Sequence, residues 1–311
     1  MLPAVMTSPT APLTFRTGFA ADPAARAAVA ALLKPVFEID IAPLERLGGW
    51  EDGSVPFAWF EGDACIANVT AHPKPMMLQG KAVTPWSIVS VATRPDRRGR
   101  GLFGDLMARA LAHCDRETDL VILGTATPDL YRPFGFRPIG EHAFAGPPPA
   151  PVPASGLGAR RLDLADDADA ARLVALFGDR APVSTICGLR ADRPFFMLKA
   201  LEEPHISLAW LEALHVVAAI EPDGTCLRLL DVVGPAIPPL AAILAELGTG
   251  LGGQRLGGQG LDGPSSRIEV YFPPDRLAWQ PAEIMPEDSG WMVRGPWPLD
   301  GVPAMFSPMT L

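Results

Sequence analysis

An arginine- and glycine-rich segment between a strand-like run and a helix-like run places the strongest constraint on how this chain can fold. The strand-like run, S-I-V-S-V-A-T at 87–93, is β-branched and nearly all apolar or small, which is typical of a strand covered on both faces. The helix-like run at 101–115 has apolar residues at positions 103, 106, 107, 110, 111 and 114, the period of an amphipathic helix. Between them lies T-R-P-D-R-R-G-R-G-L-F-G at 93–104, so we expect a strand that enters a helix through a glycine turn.

This turn has the composition of a phosphate-binding loop. Arginines occupy positions 94, 97, 98 and 100, and Gly99, Gly101 and Gly104 carry no side chain that would block close approach of the main chain. Unpaired N–H groups at a helix start favour an anion by about 0.3–1 kcal/mol each when exposed. The Lys-Ser/Thr pair of a P-loop is missing, which argues against nucleoside triphosphate hydrolysis. A solvated surface loop is the alternative interpretation of the same residues.

The composition excludes several classes of protein. A length of 311 residues predicts roughly two domains, and 48% hydrophobic with 20% charged residues excludes a disordered chain. With 26 Lys and Arg against 35 Asp and Glu, the net charge is -9. No protein-wide positive field therefore attracts nucleic acid or an anionic membrane surface.

The four cysteines are predicted to be reduced and buried. They form no C-x-x-C pair, and no histidine stands at zinc-finger spacing, so we expect no metal site. The N-terminal residues contain no Lys or Arg before Arg16 and are interrupted by prolines, unlike a signal peptide. Since no run approaches the roughly 18 apolar residues of a membrane-spanning helix, we predict a cytoplasmic protein without a membrane partner.

A proline-rich stretch predicts where the chain divides. The sequence A-G-P-P-P-A-P-V-P-A-S-G-L-G occupies 145–158, and proline favours an extended, semi-rigid spacer. We therefore expect a first domain at 1–145, a linker at 146–158 and a second domain at 159–311.

Short repeats indicate that the two halves are copies of one domain. Arg16 and Asp22 bracket a strand that leads into a helical pattern, and Arg161 and Asp167 do the same 145 residues later. The sequence A-W-F-E at 58–61 is echoed by A-W-L-E at 209–212.

The pattern of the first half alternates strands with helices. We expect strands at 13–19, 55–60, 64–71, 83–92, 119–125 and 137–144, and helices at 23–37, 101–115 and 128–134.

A second motif follows the glycine turn and makes a resemblance specific. The strand L-V-I-L-G-T-A-T at 120–127 is followed by P-D-L-Y-R-P-F-G-F at 128–136. Together with R-R-G-R-G-L after a strand, this resembles the acetyl-coenzyme A core of the GCN5-related N-acetyltransferase (GNAT) superfamily over about residues 13–145. The resemblance implies an α+β fold of two tandem GNAT-like domains, each a mixed, mostly antiparallel twisted sheet flanked by helices, with the second copy degenerate.

The resemblance also implies the roles of individual residues. In that family the pantetheine arm lies against the strand that matches Val91, Ala92 and Thr93. The pyrophosphate accepts hydrogen bonds from the loop that matches Arg98, Gly99, Arg100, Gly101, Leu102 and Phe103.

Tyr131 matches the tyrosine that protonates the departing thiolate in that family. Tyr131 and Tyr271 are the two tyrosines of the whole chain, so its presence at the motif position carries weight. A core tyrosine that stacks on Phe134 or Phe136 is the alternative.

The sequence departs from the family pattern in places. Asp96 stands where Gln or Arg is usual, and Gly124, Thr125 and Thr127 occupy the neighbourhood of a frequent asparagine. In the second half the matching loop is G-P-A-I-P-P-L at 234–240, where no arginine remains and two prolines remove N–H donors. That half is therefore expected to bind no cofactor and to shape the acceptor cleft, an arrangement most similar to the enhanced-intracellular-survival (Eis) type of acetyltransferase.

The resemblance implies an acyl-coenzyme A-dependent N-acyltransferase, with acetyl-CoA as co-substrate and a small or peptidic primary amine as acceptor. Direct attack of the amine in a ternary complex requires a base or a water relay. The candidates are Glu38, Asp40, His72 and the terminal carboxylate at Leu311, the last because the resemblance places such a terminus near the active site. The alternatives are a non-catalytic CoA-binding regulatory or scaffold protein and transfer of a longer acyl or aminoacyl group. The oligomeric state is not predicted.

Overall fold

The computed structural model describes residues 12–47, 49, 53–223, 226–250 and 266–310. The helices are α1 (Pro23–Phe37), α2 (Leu102–Cys114), α3 (Asp167–Gly178), α4 (Arg193–Glu202) and α5 (Leu240–Gly250). The strands are β1 (Leu13–Thr17), β2 (Val55–Glu61), β3 (Ala64–Pro73), β4 (Met76–Leu78), β5 (Lys81–Val83), β6 (Trp86–Thr93), β7 (Val121–Gly124), β8 (Arg137–Pro138), β9 (Glu141–Gly146), β10 (Ala159–Arg161), β11 (Cys187–Leu189), β12 (Ser207–Leu211), β13 (Val216–Asp223), β14 (Cys226–Val233), β15 (Arg267–Val270), β16 (Glu283–Glu287) and β17 (Trp291–Arg294).

These elements group into two units. The first takes its described residues from Met1–Ala42, Asp52–Pro73 and Trp86–Thr118, and the second takes its own from Pro43–Glu51, Lys74–Pro85 and Asp119–Leu311. This grouping by contact differs from the division at 146–158, which stays a prediction about duplicated halves.

The first unit is an antiparallel sheet in the order β1-β2-β3-β6 with α1 and α2 packed on it. Helix α1 begins at Pro23 because Asp22 caps it, accepting hydrogen bonds from the N–H groups of Ala24 and Ala25. Most of the apolar stripe predicted for α2 is buried, with Leu106, Met107 and Ala110 fully enclosed, whereas Phe103 is partly exposed.

The second unit contains a seven-stranded sheet in the order β10-β12-β13-β14-β15-β9-β16, together with the groups β7-β17-β8 and β11-β4-β5. Most pairs are antiparallel, and β14 with β15 is parallel. The segment that begins at Lys74 joins this unit because Met76 and Leu78 are buried in an apolar cluster with Trp291 and Phe306. The predicted α+β class, with mostly antiparallel mixed sheets flanked by helices, is confirmed.

Two buried ion pairs lie inside the second unit. Lys74 Nζ is 2.6 Å from Asp192 Oδ2, and Arg180 Nη2 is 2.6 Å from Asp231 Oδ1. Lys74 also donates to the main-chain oxygen of Thr310 at 3.1 Å. Separating the partners of a buried pair leaves an uncompensated charge, which costs free energy. These pairs therefore hold Asp192 at the start of α4 and Asp231 within β14.

The repeated sequence elements occupy equivalent places in strand pairs. Arg16 lies opposite Ala58 in β1 and β2, and Arg161 lies opposite Ala209 in β10 and β12. The predicted helix start in the second half was wrong by one residue, since Asp166 rather than Asp167 caps α3. One residue fewer separates the strand from the helix cap in the second half. Arg16 and Arg161 are therefore 145 residues apart, whereas the two caps, Asp22 and Asp166, are 144 apart.

Several predicted boundaries were wrong where proline interrupts an element. The helix expected at 128–134 is two short 3-10 turns, Pro128–Leu130 and Arg132–Phe134, because Pro133 supplies no N–H to continue a helix. The strand expected at 137–144 is broken into β8 and β9 after Pro138. The strand expected from 83 starts at Trp86, after Pro85.

The cysteines are free, and Cys65, Cys114 and Cys187 are buried whereas Cys226 is partly exposed. None of the helices in the described ranges has the length and apolarity needed to cross a membrane.

Glu141 makes the stability of the second unit depend on pH. Its carboxylate is 2% exposed, and it accepts hydrogen bonds from the Phe306 N–H at 3.0 Å and from the Ser289 hydroxyl. Burial, with smaller effects from Asp288 and Glu287, raises the pKa of Glu141 from 4.5 to about 8. The folded chain therefore holds a proton that the unfolded chain has already released between these two values.

We expect the free energy of unfolding of the wild type, relative to Glu141→Gln, to fall as the pH rises from 5 to 8. The fall is up to about 1.4 kcal/mol per pH unit, since the group gains stability below its unfolded pKa and loses it as the pH approaches the folded pKa. Urea unfolding of both variants at four pH values measures this difference. Parallel pH profiles for the two variants would show that Glu141 does not titrate in this range.

Candidate active site

The predicted phosphate loop is a sharp turn between β6 and α2. A 3-10 turn at Pro95–Arg97 is followed by Gly99 with φ +73° and by Gly101 with φ +76°. L-residues with side chains rarely adopt such angles, so both positions require glycine. A Cβ atom at either glycine would meet no other atom within 4 Å, which leaves this side of the main chain open.

The open side carries unpaired donors. The N–H groups of Gly99, Arg100, Gly101 and Leu102 donate to no acceptor within the described residues. Gly101 is the N-cap of α2 and offers no side-chain oxygen to the helix start. Because the first N–H groups of a helix need external acceptors, this turn can accept an anion through several main-chain donors.

The four arginines of the loop have different environments. Arg94 contacts Asp96 at 2.6 Å and Glu61 at 3.3 Å, and Arg97 contacts Glu61 at 2.6 Å. The Arg94 guanidinium, through its hydrogen bond, holds the pKa of Asp96 below its usual value. Arg94 and Arg97 are thus neutralised by neighbouring carboxylates.

Arg98 and Arg100 keep donors for a ligand. Arg98 Nε donates to the Thr93 carbonyl at 3.2 Å, and its terminal nitrogens make no further bond in the part of the chain that the structure describes. Arg100 is exposed and forms no ion pair or hydrogen bond with any described residue. These are therefore the two arginines of the loop that keep guanidinium donors for a ligand among the described residues.

Strand β6 contains a bulge next to the residues predicted to hold pantetheine. Thr70 lies opposite Val89 and Asn68 opposite Ala92, so two residues, Ser90 and Val91, face a single residue of β3. Ser90 has a positive φ of 53°, and its carbonyl accepts a hydrogen bond from the buried Asn68 side chain at 2.8 Å. The bulge releases main-chain groups from the ladder.

Sequence reasoning missed Asn68. The available signal was an amide side chain in the middle of an otherwise apolar strand, A-C-I-A-N-V-T-A at 64–71, since a buried polar side chain needs a specific partner. Val91 is the second residue of the bulge, and Ala92 and Thr93 follow it and lead into the loop at Arg98.

Tyr131 is a buried side chain in the second unit. It lies between the two 3-10 turns, is 7% exposed, and its ring packs edge-on against Phe136 with centroids 6.2 Å apart. Its hydroxyl hydrogen-bonds the side chain of Thr125, yet burial raises the pKa of Tyr131 above its usual value of 10. The phenol is therefore protonated at neutral pH, as a proton donor must be.

Thr125 was noted only as a departure from the family pattern, and its contact with Tyr131 was not predicted. The main-chain N–H of Thr125 donates to the Gly290 carbonyl at 2.9 Å, and its hydroxyl accepts from the Thr127 N–H at 3.0 Å. Thr125 is thereby held in place beside the phenol.

The candidate bases differ in their surroundings. Asp40 pairs with Lys34 at 2.7 Å, which lowers the pKa of Asp40 and makes it a weaker base. Glu38 is exposed at the end of α1. His72 is buried, with Nδ1 2.8 Å from Ser54 Oγ, and Leu311 lies outside the described residues.

No group of three or more metal-ligating side chains is assembled among the described residues.

Comparison with known proteins supports the interpretation of this region. Residues 24–139 match the family model described as the acetyltransferase (GNAT) domain. This stretch includes β6, the glycine turn, α2 and Tyr131. A search of curated proteins found no match.

Solved structures with a similar fold cover nearly the whole chain. A conserved protein of unknown function from Enterococcus faecalis, described as a probable N-acyltransferase, is 15% identical over 91% of this chain and 73% of that chain, with a TM-score of 0.56. Eis1 from Mycobacterium abscessus is 16% identical over 91% and 73%, with a TM-score of 0.53. A GCN5-related N-acetyltransferase from Anabaena variabilis is 14% identical over 90% and 72%, with a TM-score of 0.52.

At these identities the likeness establishes a shared fold, and the family match assigns the stretch that bears the loop and the tyrosine. Residues 24–139 thus match the GNAT acetyltransferase domain, and the solved structures share the fold over about nine-tenths of the chain.

Proposed function

We propose that this protein is an acyl-CoA-dependent N-acyltransferase that transfers an acetyl group from acetyl-CoA to a primary amine by direct attack in a ternary complex. One observation carries the proposal: among the described residues, the N–H groups at 99–102 donate to no acceptor, and the terminal nitrogens of Arg98 and the guanidinium of Arg100 make no bond. A diphosphate is an anion that suits several main-chain donors and two cations.

The residues present fit this co-substrate. Arg98, Gly99, Arg100, Gly101, Leu102 and Phe103 would hold the diphosphate, and the glycines leave room for its approach. Val91 in the bulge of β6, with Ala92 and Thr93 directly after it, would pair with the amides of the pantetheine arm. When bound, acetyl-CoA supplies the activated acetyl thioester.

Tyr131 is proposed as the general acid that donates a proton to the departing thiolate. Its raised pKa keeps the proton in place until it is needed, and Thr125 orients the hydroxyl. A positioned acid of this kind contributes about 10²–10⁴ in rate. The base that deprotonates the amine is proposed among His72, Glu38, Asp40 and the terminal carboxylate at Leu311, with His72 favoured by its bond to Ser54.

The second half is proposed to hold no cofactor. The N–H of Leu240, at the start of α5, donates to the Leu277 carbonyl at 2.8 Å, and the two preceding prolines have no N–H to offer. Strand β14 also contains a bulge, as β6 does. Beside it, Ala219 of β13 lies opposite Asp231 of β14, and the Asp231 carboxylate is bound to Arg180. We therefore propose one cofactor site per chain. The proposed enzyme is cytoplasmic, and its acceptor is a small or peptidic amine.

Release of free thiol tests the proposal. We expect the purified chain to bind acetyl-CoA in calorimetry and to release CoA thiol, measured with a chromogenic thiol reagent, when a member of a panel of primary amines is added. Mass spectrometry of that amine should show a gain of one acetyl group. Binding without thiol release across the panel would favour the non-catalytic CoA-binding protein, and absence of binding would overturn the proposal.

A further inference from the structure

We propose that Glu61 is a positioning residue for the diphosphate loop, acting through Arg94 and Arg97 rather than by contact with the ligand. The inference rests on the proposed function of this loop. Nothing in the sequence pointed to Glu61, which ends β2 and lies more than thirty residues before the loop.

Glu61 contacts two arginines of the loop. Arg97 Nη2 donates to both carboxylate oxygens, at 2.7 and 2.6 Å, and Arg94 Nη2 donates to Oε2 at 3.3 Å. The side chains are shielded from water, with Glu61 at 14% and Arg97 at 16% exposure. Shielded ion pairs with hydrogen bonds are stronger than pairs on the open surface.

These contacts tie the loop to the sheet. Arg94 immediately precedes the 3-10 turn Pro95–Arg97, and Arg97 is the last residue of that turn, directly before Arg98. Two further hydrogen bonds connect this segment to the sheet: the Arg94 N–H donates to the Ile66 carbonyl at 2.9 Å, and Arg98 Nε donates to the Thr93 carbonyl at 3.2 Å. Asp96 pairs with Arg94 inside the loop itself and therefore does not connect it to a strand.

The position of the turn decides where the unpaired donors point. The amides of Gly99 to Leu102 bind a diphosphate only if they are held in a fixed arrangement, because ordering them on binding costs conformational entropy. Glu61 supplies that order before the ligand arrives. Its charge alone would have the opposite effect, since a carboxylate near the loop repels an anion.

Neutralising Glu61 therefore distinguishes ordering of the loop from charge repulsion, because the two effects change CoA affinity in opposite directions. If Glu61 positions the loop, Glu61→Gln and Glu61→Ala weaken CoA binding, whereas if it only adds negative charge, both variants tighten it. Asp63→Asn is the matched control, because Asp63 lies two residues away, is exposed and forms no ion pair with the described residues. The control removes the same charge without removing a contact to the loop.

The experiment measures CoA affinity by calorimetry for the wild-type chain and the three variants, with thermal unfolding as a check of folding. We expect Glu61→Ala to raise the Kd for CoA about tenfold, Glu61→Gln to raise it less, and Asp63→Asn to leave it within about twofold. The acetyl thioester of N-acetylcysteamine, which lacks the diphosphate, should be used with unchanged kcat/KM by Glu61→Gln. A general loss of structure would lower that value as well.

Each outcome supports or overturns the positioning role of Glu61 or the proposed function. Unchanged or tighter CoA binding by both Glu61 variants, with a wild type that binds CoA, overturns the inference and leaves the proposed function standing. A tenfold loss for CoA accompanied by an equal loss for the truncated thioester also overturns it, since Glu61 would then act on the whole domain. A wild type that binds no CoA overturns the proposed function itself.

Discussion

Tyr131→Phe is expected to lower kcat by about 10²–10⁴ while the Kd for acetyl-CoA stays nearly unchanged. Phenylalanine keeps the ring that packs against Phe136 and loses only the hydroxyl bonded to Thr125. Thr125 retains its bond from the Thr127 N–H, so the surroundings need not rearrange. Steady-state kinetics of thiol release, with calorimetry for binding, measure the two quantities separately.

The control for this variant is the other tyrosine. Tyr271 also donates its hydroxyl, to Glu269 at 3.4 Å, and Tyr271→Phe should leave kcat within about twofold. An acetyl thioester of an acidic aryl thiol has a leaving group that needs no proton. With this acetyl donor in place of acetyl-CoA, the loss of kcat caused by Tyr131→Phe should be smaller. If Tyr131→Phe lost as much kcat with the aryl thioester as with acetyl-CoA, or kept its full kcat with acetyl-CoA, Tyr131 would not be the acid.

Reversal of charge at both Arg98 and Arg100 is expected to weaken acetyl-CoA binding by about 100-fold or more. Each hydrogen bond to a charged group contributes about 1.5–3 kcal/mol, and two glutamates in their place would repel the diphosphate. These side chains are exposed and contribute little to packing, so the thermal unfolding midpoint should change little. Calorimetric titration of Arg98→Glu/Arg100→Glu with acetyl-CoA gives the measurement.

Lys81→Glu is the control for charge reversal away from the loop, with half the charge change of the double variant, because Lys81 is exposed and forms no ion pair with any described residue. It changes the net charge of the chain by two without touching the loop, and we expect its affinity to match the wild type. The difference between the double variant and the wild type should narrow as salt is added, since exposed charges are screened. If the double variant binds as tightly as Lys81→Glu, the anion site lies elsewhere.

The arginines of the loop illustrate the division between local and distant information. A glycine turn, a β-branched strand and an amphipathic helix were all predicted from neighbouring residues, because backbone sterics and helical period act over a few positions. That only Arg98 and Arg100 keep free donors depends on Glu61, which reaches the loop through the strand order of the first unit. No local pattern in the sequence contains that pairing.

The same contrast holds for the fold and for the tyrosine. The motif position singles out Tyr131, whose role as the acid stays a prediction, and the repeated segments predict two related halves, since both signals lie in short stretches of sequence. The partner of the phenol, Thr125, the bulge held by Asn68 and the attachment of the segment at Lys74 to the second unit emerged only in three dimensions. Such features arise from pairings between residues far apart in the chain, whose energies depend on burial and geometry that folding alone creates.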